Sequence, residues 1–216
     1  MITAEQWWRI VKAYGAQIWP AQIVFYTAAV LLTGWLFLKP GRVHSWFAKL
    51  YLSIAFAWNS IVFFLTLAKG ITGNSYGNYF FGGIFGIVAI LFAVDLFSGK
   101  MQFALPEIKG RRYTTLAFLL LVLCYPLLGI ALGRGLKDLL VPGVIPCPTT
   151  AFSLILLTTA LPHANKLAYM LLLLWAIPFP PIFQIPKYGV YEDVIMFASG
   201  IYSLILLMRH WKSETD

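Results

Sequence analysis

The pattern along this chain is one of long apolar runs separated by short polar turns. Apolar stretches at about 20–38, 46–68, 79–98, 113–133, 166–185 and 190–209 each approach the roughly 20 residues a helix needs to cross a hydrocarbon core. Lys39-Pro40-Gly41-Arg42, the Gly/Asn/Ser segment from Gly70 to Asn78, and the basic stretch from Lys100 to Arg112 punctuate them. Residues 4–18 follow a different rule. They set Trp7, Trp8, Val11, Tyr14 and Ile18 near one helical face, with Glu5, Arg9 and Lys12 largely elsewhere. That spacing predicts an amphipathic helix lying in the membrane interface, its tryptophans at headgroup depth. Trp19-Pro20 is then expected to turn the chain into the first span.

One stretch breaks the rhythm. Val141-Pro142-Gly143-Val144-Ile145-Pro146-Cys147-Pro148-Thr149-Thr150 is the densest group of backbone-restricting residues in the sequence, and it opens an apolar run ending near Pro162. Pro146 and Pro148 lack N–H donors and fix φ, so helix is excluded before Cys147 and can begin there, with Pro148 as a first-turn residue. The helix that follows is about 14 to 16 residues long, too short to cross alone. Residues 139–146 are therefore expected to descend as non-helical backbone, which is tolerated at depth only when buried in protein or lining a cavity. With this short fifth span the count is seven. The expectation is an all-α integral membrane protein: residues 1–19 form the interfacial helix, and residues 20–216 one seven-helix domain. Its fifth helix is broken by proline, and its sixth by Pro178, Pro180 and Pro181.

Composition agrees with this class. Hydrophobic residues make up 60% of the chain and charged residues 11%, against roughly 45–50% and 25% in soluble domains, and the mean hydropathy is +0.79. The net charge of +8 does not point to nucleic acid, because the basic residues sit in short clusters between apolar runs. Residues 1–19 lack the basic start and apolar core of a removable signal peptide. Lys39, Arg42, Lys49, Lys100, Lys109, Arg111, Arg112, Lys166, Arg209 and Lys212 fall on one side of a seven-span topology, ten in all. Arg9, Lys12, Lys69, Arg134, Lys137 and Lys187 fall on the other, six in all. The richer side is expected to be cytoplasmic, with the N-terminus outside and the C-terminus inside. Under that orientation the Pro-Cys-Pro stretch, the broken half of span six, Glu192-Asp193 and Trp19-Pro20 all lie towards the outer face.

Several residues could carry chemistry there. Cys147 at a helix N-terminus is a candidate soft metal ligand or nucleophile, set against the role of a small buried apolar residue. Thr149 and Thr150 either cap the short helix or line a solute pocket. Glu192 and Asp193 complement the dipole at the start of span seven, or turn into an outer cavity as cation ligands or proton acceptors. Asp95 is an ionisable group within a span and a candidate inner relay, with pairing to Lys100 as the alternative. Asn59 joins it as a relay candidate or as helix–helix glue. Two cysteines make no disulfide framework, and Cys124, near mid-span, is too far from Cys147 along the membrane normal for a bridge. His44, His163 and His210 are scattered without metal-ligand spacing. No phosphate loop, Gly-x-Ser-x-Gly or HExxH occurs.

Tyr125-Pro126, Gly129, Pro146-Cys147-Pro148-Thr149-Thr150-x-Phe152, Trp175, Glu192-Asp193 and the opening Trp19-Pro20-Ala21-Gln22 together resemble a family of small bacterial multi-pass membrane proteins of unknown function. The family's hairpin between spans two and three bears a histidine; Lys69 to Asn78 has none. The resemblance implies a bacterial inner membrane and directs attention to Cys147, Asp193 and Gln22, without assigning an activity or a cofactor. Three function classes stay open. The leading one is a transporter or channel for a small solute or ion, with an outward polar pocket at the start of the fifth helix. The others are a membrane sensor or accessory subunit, and a thiol or metal-binding protein using Cys147. Expected partners are the lipid bilayer, a small solute or ion and, in an oligomer, a second copy of the chain.

Overall fold

A computed structural model of the chain describes residues 2–211; Met1 and residues 212–216, Lys212 of the orientation count among them, lie outside the description. The helices are α1 (Ala4–Leu38), α2 (Arg42–Trp58), α3 (Ser75–Ser98), α4 (Lys109–Leu123), α5 (Tyr125–Ala131), α6 (Pro146–Thr159), α7 (Lys166–Ala176), α8 (Ile185–Tyr188) and α9 (Asp193–His210). Two stretches are π-helical: Asn59–Leu67 continues α2, and Pro180–Gln184 follows α7. No strand occurs among the described residues.

The short helix from Cys147 is the axis of the bundle. All fourteen residues of α6 are buried, with α2, α4, α7 and α9 packed around it. At 1.5 Å per residue it is about 21 Å long, short of a roughly 30 Å hydrocarbon core. Five other helical segments are long and apolar enough to cross a membrane, and α4 with α5 makes a sixth if that bent pair is one span. The pair bends by 50° around Cys124, where Pro126 can supply no N–H to continue the ladder. Large apolar side chains such as Ile23, Leu31, Ile61, Ile90 and Leu174 stand exposed on the outer surface. An apolar exterior of this extent suits a membrane-facing surface.

Two expectations change. The first is the turn at Trp19-Pro20, which does not occur: α1 is one 35-residue helix with Pro20 inside it. Proline costs one ladder hydrogen bond here, but an unbroken stripe of buried residues holds both halves, from Trp7, Val11, Tyr14 and Ile18 to Ala29, Leu32 and Leu36. The amphipathic face is packed on protein. Trp7 stacks on Tyr188 at 5.4 Å, and the Trp8 indole N–H donates to the Tyr188 carbonyl at 2.8 Å.

The second concerns Asp95, whose partner is Lys49 rather than Lys100. Lys49 belongs to α2 and is 2% exposed. Its Nζ donates to Asp95 Oδ2 at 3.0 Å and to the Asp95 carbonyl at 2.9 Å. Ser98 Oγ and the Met101 N–H supply the remaining donors, at 2.7 and 3.1 Å. This buried pair ties the C-terminus of α3 to α2. Towards the other end the same two helices approach closely through small residues, with Ser60 Oγ donating to the Gly82 carbonyl at 2.7 Å.

Breaking a buried pair strands a charge and costs about 3–5 kcal/mol, whereas replacing both partners by apolar groups is often neutral. Asp95→Ala is therefore expected to lower the melting temperature in detergent sharply, and Lys49→Met/Asp95→Ala to recover most of the loss. A double variant as unstable as the single one would show that the site matters through packing alone.

Candidate functional site

Residues 139–145 reach α6 as buried, non-helical backbone, and most of the sequence-predicted polar residues serve that segment. Thr149 Oγ1 accepts from the Gly143 N–H at 2.8 Å and donates back to the Ile145 carbonyl at 2.5 Å. Asn59 Nδ2 donates to the Gly143 carbonyl at 3.0 Å and to the Ala55 carbonyl at 2.7 Å. The Asn59 side chain thus draws on a carbonyl of the preceding turn at the residue where α2 becomes π-helical. Tyr14 Oη donates to the Val144 carbonyl at 2.7 Å and accepts from the Trp58 indole at 2.8 Å. Gln22 Nε2 reaches the Leu139 carbonyl at 3.5 Å. Gly143 has φ +100°, and a Cβ there would run into the Phe25 ring. Glycine is thus required twice over, by backbone angle and by space.

Glu192 and Asp193 part company at the head of α9. Glu192 takes a two-pronged ion pair from Arg134, through Nε at 2.5 Å and Nη2 at 2.8 Å. The Arg134 guanidinium lies 3.6 Å above the Trp8 ring. Asp193 is wholly buried and accepts from Tyr125 Oη at 3.3 Å through Oδ1. Its Oδ2 has no hydrogen-bond partner among the described residues. The Cys147 thiol lies beside Asp193 and beside the Trp175 indole. Asp95 belongs elsewhere, in the Lys49 pair, and Thr150 is buried with its hydroxyl unpartnered among the described residues.

Of the candidates, Cys147 is the one that lines the cavity at the head of α6. This cavity measures about 250 Å³ and is walled mainly by aromatic rings, including Trp7, Phe63, Phe64, Phe81, Trp175 and Phe179. Thr72, Cys147, Trp175, Gln184, Lys187 and Tyr188 are the lining residues that carry polar side-chain groups. Gln22 faces a separate hollow with Trp19, Tyr26 and Leu139. The cavity at the head of α6 is apolar in character, where the sequence reading expected a polar pocket. Phe63 and Phe64 come from the π-helical end of α2 and Phe179 from the break after α7, with Trp175 just before it, while Trp7 comes from α1 and Phe81 from α3. Sequence reasoning missed them because aromatic residues in an apolar run read as lipid-facing or core. The available signal was the Pro178-Phe179-Pro180-Pro181 break, which turns rings out of helical register.

Both cysteines are free. Among the described residues no three His, Cys, Asp or Glu side chains gather as a metal site, so Cys147 has no co-ligand set around it.

An all-helical chain with five to six membrane-length apolar helices, folded about a short buried helix beside an aromatic cavity, has the make-up of a multi-helix membrane protein. It belongs to a family of unknown function, DUF6064, whose model matches residues 4–215. No curated protein and no solved structure matches it.

Removing the hydroxyl in Thr149→Val leaves the Gly143 N–H buried and unsatisfied, a loss of about 1–3 kcal/mol. Asn59→Leu is expected to cost a similar amount, and the double variant less than the sum, because both side chains serve Gly143. Denaturant unfolding of the four proteins in detergent measures this coupling; strict additivity would refute it.

Proposed function

We propose that this membrane protein is a carrier that binds a small solute in the cavity beside Cys147. The observation that carries the reading is the placement of the cavity between two interrupted stretches, residues 139–145 before α6 and the break after α7. Discontinuous helices are how membrane carriers build binding sites at depth, because only interrupted backbone frees room and polar groups there. The excess of Lys and Arg at the opposite end of the bundle supports a cavity that faces the outside, with the N-terminus out.

A solute suits the cavity better than an ion. Conduction through Asn59 and Asp95 would need their polar groups exposed to a path, whereas Asn59 Nδ2 is committed to Gly143 and Ala55 and Asp95 to Lys49. A thiol enzyme would need a second reactive group, and the other cysteine, Cys124, sits at the α4–α5 hinge.

Uptake of radiolabelled neutral amino acids, sugars and small aromatics into proteoliposomes tests the carrier reading. At least one compound is expected to enter faster than into empty liposomes, with the gain lost in Val11→Trp, which fills the cavity. Failure of every compound, with the protein shown to be folded and inserted, would overturn it.

A further inference from the structure

Four polar groups in and around the cavity are not explained by folding. Trp175 lines the cavity and is 6% exposed, and its buried Nε1 has no hydrogen-bond partner among the described residues. The Cys147 sulfur approaches it, but sulfur is a weak acceptor. Gln184 also lines the cavity, is 7% exposed, and its Oε1 is unpartnered. Lys187 stands half-buried against the Tyr188 ring at the rim, with no carboxylate paired to it among the described residues. Asp193 Oδ2, beside the Cys147 thiol, has no other partner among the described residues. A buried donor or acceptor left unpaired costs about 1–3 kcal/mol each, so a ligand that pairs with Trp175 and Gln184 recovers that cost on binding.

Size, shape and charge narrow what can enter. Some 250 Å³ exceeds the roughly 150 Å³ engineered apolar cavity that takes up benzene, which sets the scale of a bicyclic ring system. Walls of Phe and Trp rings favour a flat occupant met by stacked and edge-on contacts. A cation must pass Lys187. An anion must settle near two buried carboxyl groups, Glu192 and Asp193, of which the neighbouring Arg134 pairs with Glu192 alone. Both signs of charge are penalised in a low-dielectric site. We infer that the cavity binds an uncharged, flat, bicyclic aromatic molecule bearing a hydroxyl group, which accepts from Trp175 Nε1 and donates to Gln184. This assignment rests on the cavity being a ligand site, and it names the class of solute the carrier would handle.

The test reads binding, not transport, so that it fails separately from the uptake assay. Full-length Cys124→Ser protein in nanodiscs is treated with methyl methanethiosulfonate, and the rate of Cys147 modification is followed with 2-naphthol, naphthalene, 2-naphthoate or potassium glutamate present. Thermal shift with the same compounds supplies a second readout that does not depend on thiol reactivity. The expected result is protection and stabilisation by 2-naphthol at concentrations about tenfold below those needed for naphthalene, the worth of one to two buried hydrogen bonds. Trp175→Phe keeps the ring and removes the donor; it is expected to bring 2-naphthol close to naphthalene while leaving the melting temperature of the unliganded protein near that of its parent. Preference for 2-naphthoate or glutamate would overturn the neutral aromatic class while leaving a solute carrier standing. No effect of any compound in either readout would overturn the site itself. An unchanged 2-naphthol preference in Trp175→Phe would remove Trp175 from the ligand contacts and refute the assigned geometry.

Discussion

The structure depends on satisfying the backbone of residues 139–145 without water. A peptide group buried away from solvent and left unpaired costs as much as a lost hydrogen bond, and this segment makes no helical ladder of its own. Its groups are met by side chains drawn from three directions: Tyr14 and Gln22 from α1, Asn59 from the end of α2, and Thr149 from α6 itself. Each of those residues is thereby fixed in position. The long α1 must run close enough to reach Val144, α2 must carry Asn59 to the level of Gly143, and α6 must start where Thr149 can turn back to Ile145. The arrangement of the bundle at this end follows from one short length of chain.

The cavity is a consequence of the same constraint. Where backbone leaves the helical path, side chains leave helical register and cannot fill the space between neighbouring helices evenly. The π-helical turn after Trp58 and the proline break after Ala176 bring aromatic rings around the gap without closing it. The far end has no such interruption, and there the helices are tied by the Lys49–Asp95 pair and by Arg111, whose Nη2 donates to the Thr158 carbonyl near the C-terminus of α6 at 2.6 Å. At the cavity end the Arg134–Glu192 pair also ties helices together, and it is the irregular backbone there that leaves the gap between them.

The amino-acid sequence carried the class and the weak point of the fold. Runs of about twenty apolar residues demand membrane-length helices whatever surrounds them, since backbone in lipid must bond internally. Pro146 and Pro148 forbid an earlier helix start by local sterics alone, so the short α6 and its non-helical approach were legible residue by residue. Cys147 at the cavity wall followed from the same reading. The roles of Thr149 and Asn59 were open, because a hydroxyl or an amide can serve the backbone or a ligand equally well until its neighbours are known.

Tertiary structure decided everything that depends on which groups meet. Pro20 inside α1 reads as a turn in sequence, yet a stripe of packing spanning both halves outweighs one missing hydrogen bond. Asp95 has Lys100 nearby in sequence, but the α2–α3 contact delivers Lys49. Glu192 and Asp193 are adjacent carboxylates with the same local environment in sequence, and only the arrival of Arg134 at one and Tyr125 and Cys147 at the other separates them. The aromatic lining of the cavity comes from segments more than a hundred residues apart. Local sterics and hydrophobic length are written in single stretches of chain; partners, and the empty space between them, exist only once distant stretches are packed.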